Sequence, residues 1–118
     1  MNNILVDCVW DVKANLGEGP SWAPTDQNLY WVDINNCQLN KFNPINGKNI
    51  TINVGSPIGC FAIKKNLNII LALTNGFFEL DQIDKSMTLI NNPESHISSN
   101  RFNDGTVDMK GRFYAGTM

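Results

Sequence analysis

Two short stretches hold the residues whose types could do chemistry. In LGEGPSW, Glu18 stands between Gly17 and Gly19; in NRFNDGTVD, Arg101 and Asn103 lie two residues apart. A carboxylate flanked by glycines can come close to a cation, because the backbone beside it carries no side-chain bulk. Arg101 offers a planar fork of donors suited to a carboxylate or to sugar hydroxyls, and Asn103 both donates and accepts. On these residues alone each stretch has a second reading. Glu18 also fits an ordinary surface loop, and Asn-Asp-Gly is a common turn signal.

The elements that must position these residues are strands. Helical periodicity is missing almost everywhere, and short apolar runs alternate with turn signals instead. NLYWVDI, GCFAIKK, NIILAL and RFYAGTM are separated by PTDQ, NPINGK, KKNLN and MKGR, all turn chemistry. The five prolines fall at strand edges or in loops, where a sheet permits them. The expected fold class is all-β, built from antiparallel hairpins.

A repeat sharpens that expectation. Tyr30-Trp31-Val32-Asp33 aligns with Ile70-Leu71-Ala72-Leu73, and Phe113-Tyr114-Ala115-Gly116 falls in the same slot of a third copy. The offset is about 40 residues, the blade length of a β-propeller. The chain reads as one incomplete β-propeller domain over 1–118, with antiparallel four-stranded blades. A leading strand is expected over about 3–10, blades over about 19–55 and 58–92, and half a blade over about 104–118. A run such as IILAL fits a strand covered on both faces by neighbouring blades. Two and a half blades fall short of the roughly four to eight that close a ring. The chain is therefore expected to be the front part of a larger fold, as a fragment or a truncated form, with open strand edges.

Composition narrows the function classes. The net charge is −2, which gives no basic face for nucleic acid, and no window is apolar enough to span a membrane. MNNILVDCVWDV lacks a basic leader and is broken by Asp7 and Asp11, so it reads as no secretory signal, and the cytoplasm is the expected compartment. Cys8, Cys37 and Cys60 show no CxxC pair; they are expected as small buried thiols rather than zinc ligands or disulfides. His96, the one histidine, sits in the polar stretch NNPESHISSN and is expected in solvent. Trp10, Trp22, Trp31, Phe61, Phe77, Phe78 and Tyr114 recur at strand spacing and are expected to pack blade against blade.

LGEGPSW with NLYWVDI, together with NRFNDGTVDMKGRFYAGTM, closely resembles the senescence marker protein / gluconolactonase / regucalcin-like family. The resemblance covers the whole chain but only the opening part of a typical member. It implies a six-bladed propeller with one divalent metal in the central channel, where calcium, zinc, magnesium or manganese can serve. It also implies hydrolysis of sugar lactones. By this resemblance Glu18 looks like a metal ligand, and Arg101 and Asn103 look like substrate-orienting residues; Asp104 is read as shaping the loop. The family's remaining ligands, an asparagine and an aspartate that is also the expected base, belong to later blades that this sequence does not contain. Two other readings stand beside the hydrolase. One is a non-catalytic β-module that binds itself or a complementing chain through exposed blade edges, and the other is a weak calcium binder.

Overall fold

The computed structural model describes residues 2–118. Ten strands follow one another with no helix among the described residues. β1 (Gly17–Ala23), β2 (Asn28–Asp33), β3 (Gln38–Asn43) and β4 (Lys48–Asn53) form one antiparallel sheet in that spatial order. β5 (Ile58–Ile63), β6 (Ile69–Leu73), β7 (Gly76–Leu80) and β8 (Met87–Asn91) form a second sheet of the same design. β9 (Phe102–Val107) and β10 (Phe113–Thr117) make a two-stranded hairpin. The fold is an all-β, incomplete propeller of two four-stranded blades and the hairpin of a third.

Alternation along the strands decides which face is covered. Tyr30 and Val32 of β2 and Leu39 of β3 are fully buried against Ile58, Phe61, Leu71, Leu73 and Leu80 of the second sheet. The opposite face of that sheet packs on the hairpin: Cys60 and Ala72 meet Phe102, with Phe77, Phe113 and Ala115 at the margin. The Phe77 ring lies 4.4 Å from that of Phe102 and 5.9 Å from that of Phe113. β6 is thus covered on both faces, which is why IILAL carries no polar alternation. β8 is exposed along its whole length, as befits the outermost strand of a blade.

Three sequence expectations fail in whole or in part, one of them the blade-to-blade packing of Trp22 and Tyr114, which stand about half exposed. No strand forms over 3–10, and this segment joins none of the sheets. A strand exists through its ladder, and here Ile4, Leu5 and Val6 stand about nine-tenths exposed. Trp10 nevertheless packs edge-on against Trp31 at 5.5 Å, so aromatic contact holds this segment where pairing does not. The cysteines are also not uniformly buried: Cys60 is, but Cys8 is exposed and Cys37 half-buried.

A polar clasp joins the blades at the end away from Glu18. The Asp26 carboxylate accepts from the Tyr30 hydroxyl at 2.6 Å and from the Lys41 ammonium at 2.8 Å. Gln82, from the second blade, donates to the same Tyr30 oxygen at 3.1 Å and to the Leu67 carbonyl. Burial pushes the Asp26 carboxyl up, but the hydrogen bonds from Lys41 and Tyr30 outweigh it and hold the group below its ordinary 3.8. A depressed carboxyl contributes stability above its unfolded value and loses it as pH falls through the folded one. Replacing Asp26 with Asn is therefore expected to lower unfolding free energy near neutrality by about 1–3 kcal/mol. The gap from wild type should shrink as pH drops below about 4. Urea melts at several pH values read this, and an equal gap at neutral and strongly acidic pH would remove the clasp from the account.

Candidate functional site

β1, β5 and β9 are the first strands of their blades, and one end of each opens onto a common cleft of about 290 Å³. Glu18 and Ser21 come from β1, Gly59, Cys60 and Phe61 from β5, and Arg101 to Gly105, apart from Phe102, from the third blade. The three residues singled out by sequence, Glu18, Arg101 and Asn103, meet here. Glu18 lies inside β1 and Asn103 inside β9, so both stand on strands, not in the loops ahead of them.

Each is aimed by its local backbone. The β1–β2 register slips between Glu18 and Ser21, and Gly19 at the slip has φ of +63°, a conformation that suits glycine. This bulge re-aims the strand beside Glu18. Behind it, the buried Asp33 carboxylate accepts from the backbone N–H of Asn15 at 2.9 Å and of Leu16 at 3.1 Å, and from the Asn36 amide at 2.7 Å. Burial pushes the Asp33 carboxyl up, yet these donors win and keep it ionised below the ordinary range. Asp33 thereby anchors the chain that leads into Glu18.

On the far side, Arg101 donates from Nη1 to the Phe102 carbonyl at 3.0 Å and has no carboxylate partner among the described residues. Most of its donor fork is left for a ligand. Asn103 is exposed, and its amide makes no hydrogen bond among the described residues, nor does the Glu18 carboxylate. Asp104, read from sequence as a loop-shaping residue, lines the cleft as well; one of its oxygens accepts from the Gly105 N–H at 2.7 Å. Its charge, after burial, pushes the Cys60 thiol up to about 12, so the wall of the cleft beside β5 is neutral. His96 does not line the cleft.

The contribution of β5 escaped the motif reading, although one signal was present. A glycine inside an apolar strand marks a close backbone approach. A methyl group at Gly59 would stand 2.6 Å from the Asn103 carbonyl oxygen and closer still to the carbonyl of Phe102. Only a bare α-carbon lets β5 and β9 approach this far.

As a metal centre, the donor set is partial. Among the described residues no group of three His, Cys, Asp or Glu is placed to hold an ion. Calcium takes six to eight oxygens, and the cleft offers the free carboxylate of Glu18 with the Asn103 amide and Asp104 across from it. These residues do not complete a site by themselves.

Known proteins resemble this chain in sequence and fold. The profile of the SMP-30/Gluconolactonase/LRE-like region matches residues 16–118. Regucalcin of Xenopus laevis is 36% identical over 118 residues, which is 100% of this chain and 40% of that protein. The 6-deoxy-6-sulfogluconolactonase of Pseudomonas putida is 38% identical over 117 residues, 98% of this chain and 40% of its relative. A solved regucalcin from Agrobacterium tumefaciens, described as a calcium-binding protein, superposes with a TM-score of 0.83 at 27% identity. The match covers 89% of this chain and 36% of that one. The chain spans about 40% of the length of the curated relatives it matches.

The β5–β9 approach generates a direct test. Gly59→Ala is expected to cost about 2 kcal/mol of stability, since the clash is with backbone and cannot be relieved by a side-chain rotation. Denaturant melts measure it, and a variant as stable as wild type would mean the two strands are not in fact this close.

Proposed function

The chain belongs to the SMP-30/gluconolactonase/LRE-like family, and from that premise we propose that its cleft is part of a site for metal-dependent hydrolysis of sugar lactones. The observation that carries this reading is the meeting of Glu18 with Arg101 and Asn103 across one cleft, from the first and third blades. The 6-deoxy-6-sulfogluconolactonase relative supports the substrate class, and the calcium-binding regucalcin supports a divalent cation.

In this reading each residue has a defined task. Arg101 presents unused N–H donors to the oxygens of a sugar lactone, and Asn103 can donate to the ring carbonyl or accept from a hydroxyl. Together they fix the orientation of the ester, which is the entropic part of catalysis. Glu18 would supply one oxygen ligand to calcium or zinc, with magnesium or manganese as further candidates, and other ligands must come from outside the residues present here. A bound divalent cation supplies Lewis-acid polarisation and a more acidic water. Phe61 and the neutral Cys60 form a dry flank that strengthens polar contacts across the cleft.

A second reading has an observation of its own. The outward face of the hairpin leaves Tyr114 about half exposed, on a strand pair with open edges. This is the surface on which a further blade, or a second copy of the chain, would pack.

Two outcomes test these readings. In an active assembly that supplies the remaining ligands, hydrolysis of D-glucono-1,5-lactone, followed with and without calcium or zinc, should fall at least tenfold in Glu18→Gln and in Arg101→Ala, on the order of one or two lost charged contacts. Raising the metal concentration should restore part of the lost rate in the Glu18 variant but none of it in the Arg101 variant; turnover that needs no metal in either variant would defeat the assignment. Sedimentation of the chain should show a concentration-dependent dimer that Tyr114→Lys weakens, whereas a monomer at all concentrations would discard self-association.

A further inference from the structure

Arg101 sits at the very base of the hairpin, where the ladder is irregular. The β9–β10 register shifts between Ala115 and Thr117, and only Thr117 with Phe102 continues the ladder past the shift. Beyond the shift, Arg101 and Met118 exchange both backbone hydrogen bonds: Arg101 N–H donates to the Met118 carbonyl at 3.0 Å and Met118 N–H to the Arg101 carbonyl at 2.9 Å. A last pair set beyond a bulge, at the end of a two-stranded ribbon, frays easily.

One side chain ties this end together from outside the cleft. Glu94, half-buried in the polar stretch after β8, accepts from the Asn100 amide at 3.0 Å on Oε2 and from the Thr117 hydroxyl at 3.1 Å on Oε1. Asn100 precedes Arg101 and Thr117 precedes Met118, so the carboxylate bridges the residues immediately before both members of the pair. Its own stretch is folded back to reach them, with Ile97 N–H donating to the Glu94 carbonyl at 2.8 Å and Asn100 N–H to the Ile97 carbonyl at 3.1 Å. Glu94 does not line the cleft.

We propose that Glu94 is the positioning residue for Arg101: its carboxylate holds the two strand ends in register so that the guanidinium enters the cleft at a fixed place. This rests on the reading of Arg101 as a substrate-orienting group. A long arginine side chain has many rotamers, and a fixed α-carbon removes part of the search that ligand binding must otherwise complete.

The tie and its effect on the cleft are read separately, on the full chain. Amide hydrogen exchange followed by NMR should show Arg101 and Met118 exchanging about tenfold faster in Glu94→Ala, with Leu71 unchanged. Glu94→Gln, which keeps the shape and one acceptor, should fall between the two. Lactone hydrolysis in the active assembly then supplies a double-mutant cycle: Glu94→Ala should raise KM more than it lowers kcat, and that effect should vanish in an Arg101→Ala background. Unchanged exchange at Arg101 in both Glu94 variants overturns the proposal, as does a KM effect that persists without Arg101. If Arg101→Ala leaves hydrolysis untouched, the hydrolase reading falls, and the exchange comparison alone decides whether Glu94 holds Arg101.

Discussion

The closeness of β5 to β9 governs the rest of the molecule. Two backbones pass each other with no side chain between them at Gly59, and the groups of the cleft take their places from that contact. A wider gap would carry Arg101 and Asn103 away from Glu18, since the former stand on the third blade and the latter on the first. The second blade, which contributes none of the three, sets the distance between them. Its covered faces serve that task, with Leu71 and Leu73 toward the first blade and Cys60 and Ala72 toward the hairpin.

Apolar burial sets the spacing of the blades, and polar contacts set their alignment. Hydrophobic contact has no preferred direction, so the core alone would let one sheet slide on the next. The clasp of Asp26, Tyr30, Lys41 and Gln82 supplies direction at one end of the blades. At the other end Asp33 works within the first blade, where it grips the backbone leading into Glu18. Both carboxylates are held below their ordinary range because hydrogen-bond donors outweigh the cost of burial.

Much of this was legible in the sequence, and the illegible part has a common cause. The period of about 40 residues gave away the blades, since each repeat is one supersecondary unit that needs neighbours. Glu18, Arg101 and Asn103 stand out because short motifs record chemistry locally, and the fold brings them to one cleft. Contacts between distant residues leave fainter marks. Gly59 looked like any glycine in a strand until the Asn103 carbonyl was seen beside it, and Glu94 sat in a stretch that reads only as polar loop. The strand expected near the N-terminus failed for the same reason in reverse. Its pattern of Ile4, Leu5 and Val6 is that of a strand, but pattern cannot reveal whether a partner lies alongside.

The unequal surroundings of the three thiols give the molecule a built-in labelling order. Cys8 rides on the unpaired leading segment in open solvent, Cys37 is partly shielded, and Cys60 is shut into the cleft wall with its proton held up to about 12. Thiolate is the species that reacts with maleimides, so a fluorophore added sparingly would settle at Cys8 and leave the cleft chemically untouched. The same hierarchy makes the chain's first few residues a handle for watching whatever comes to rest against them.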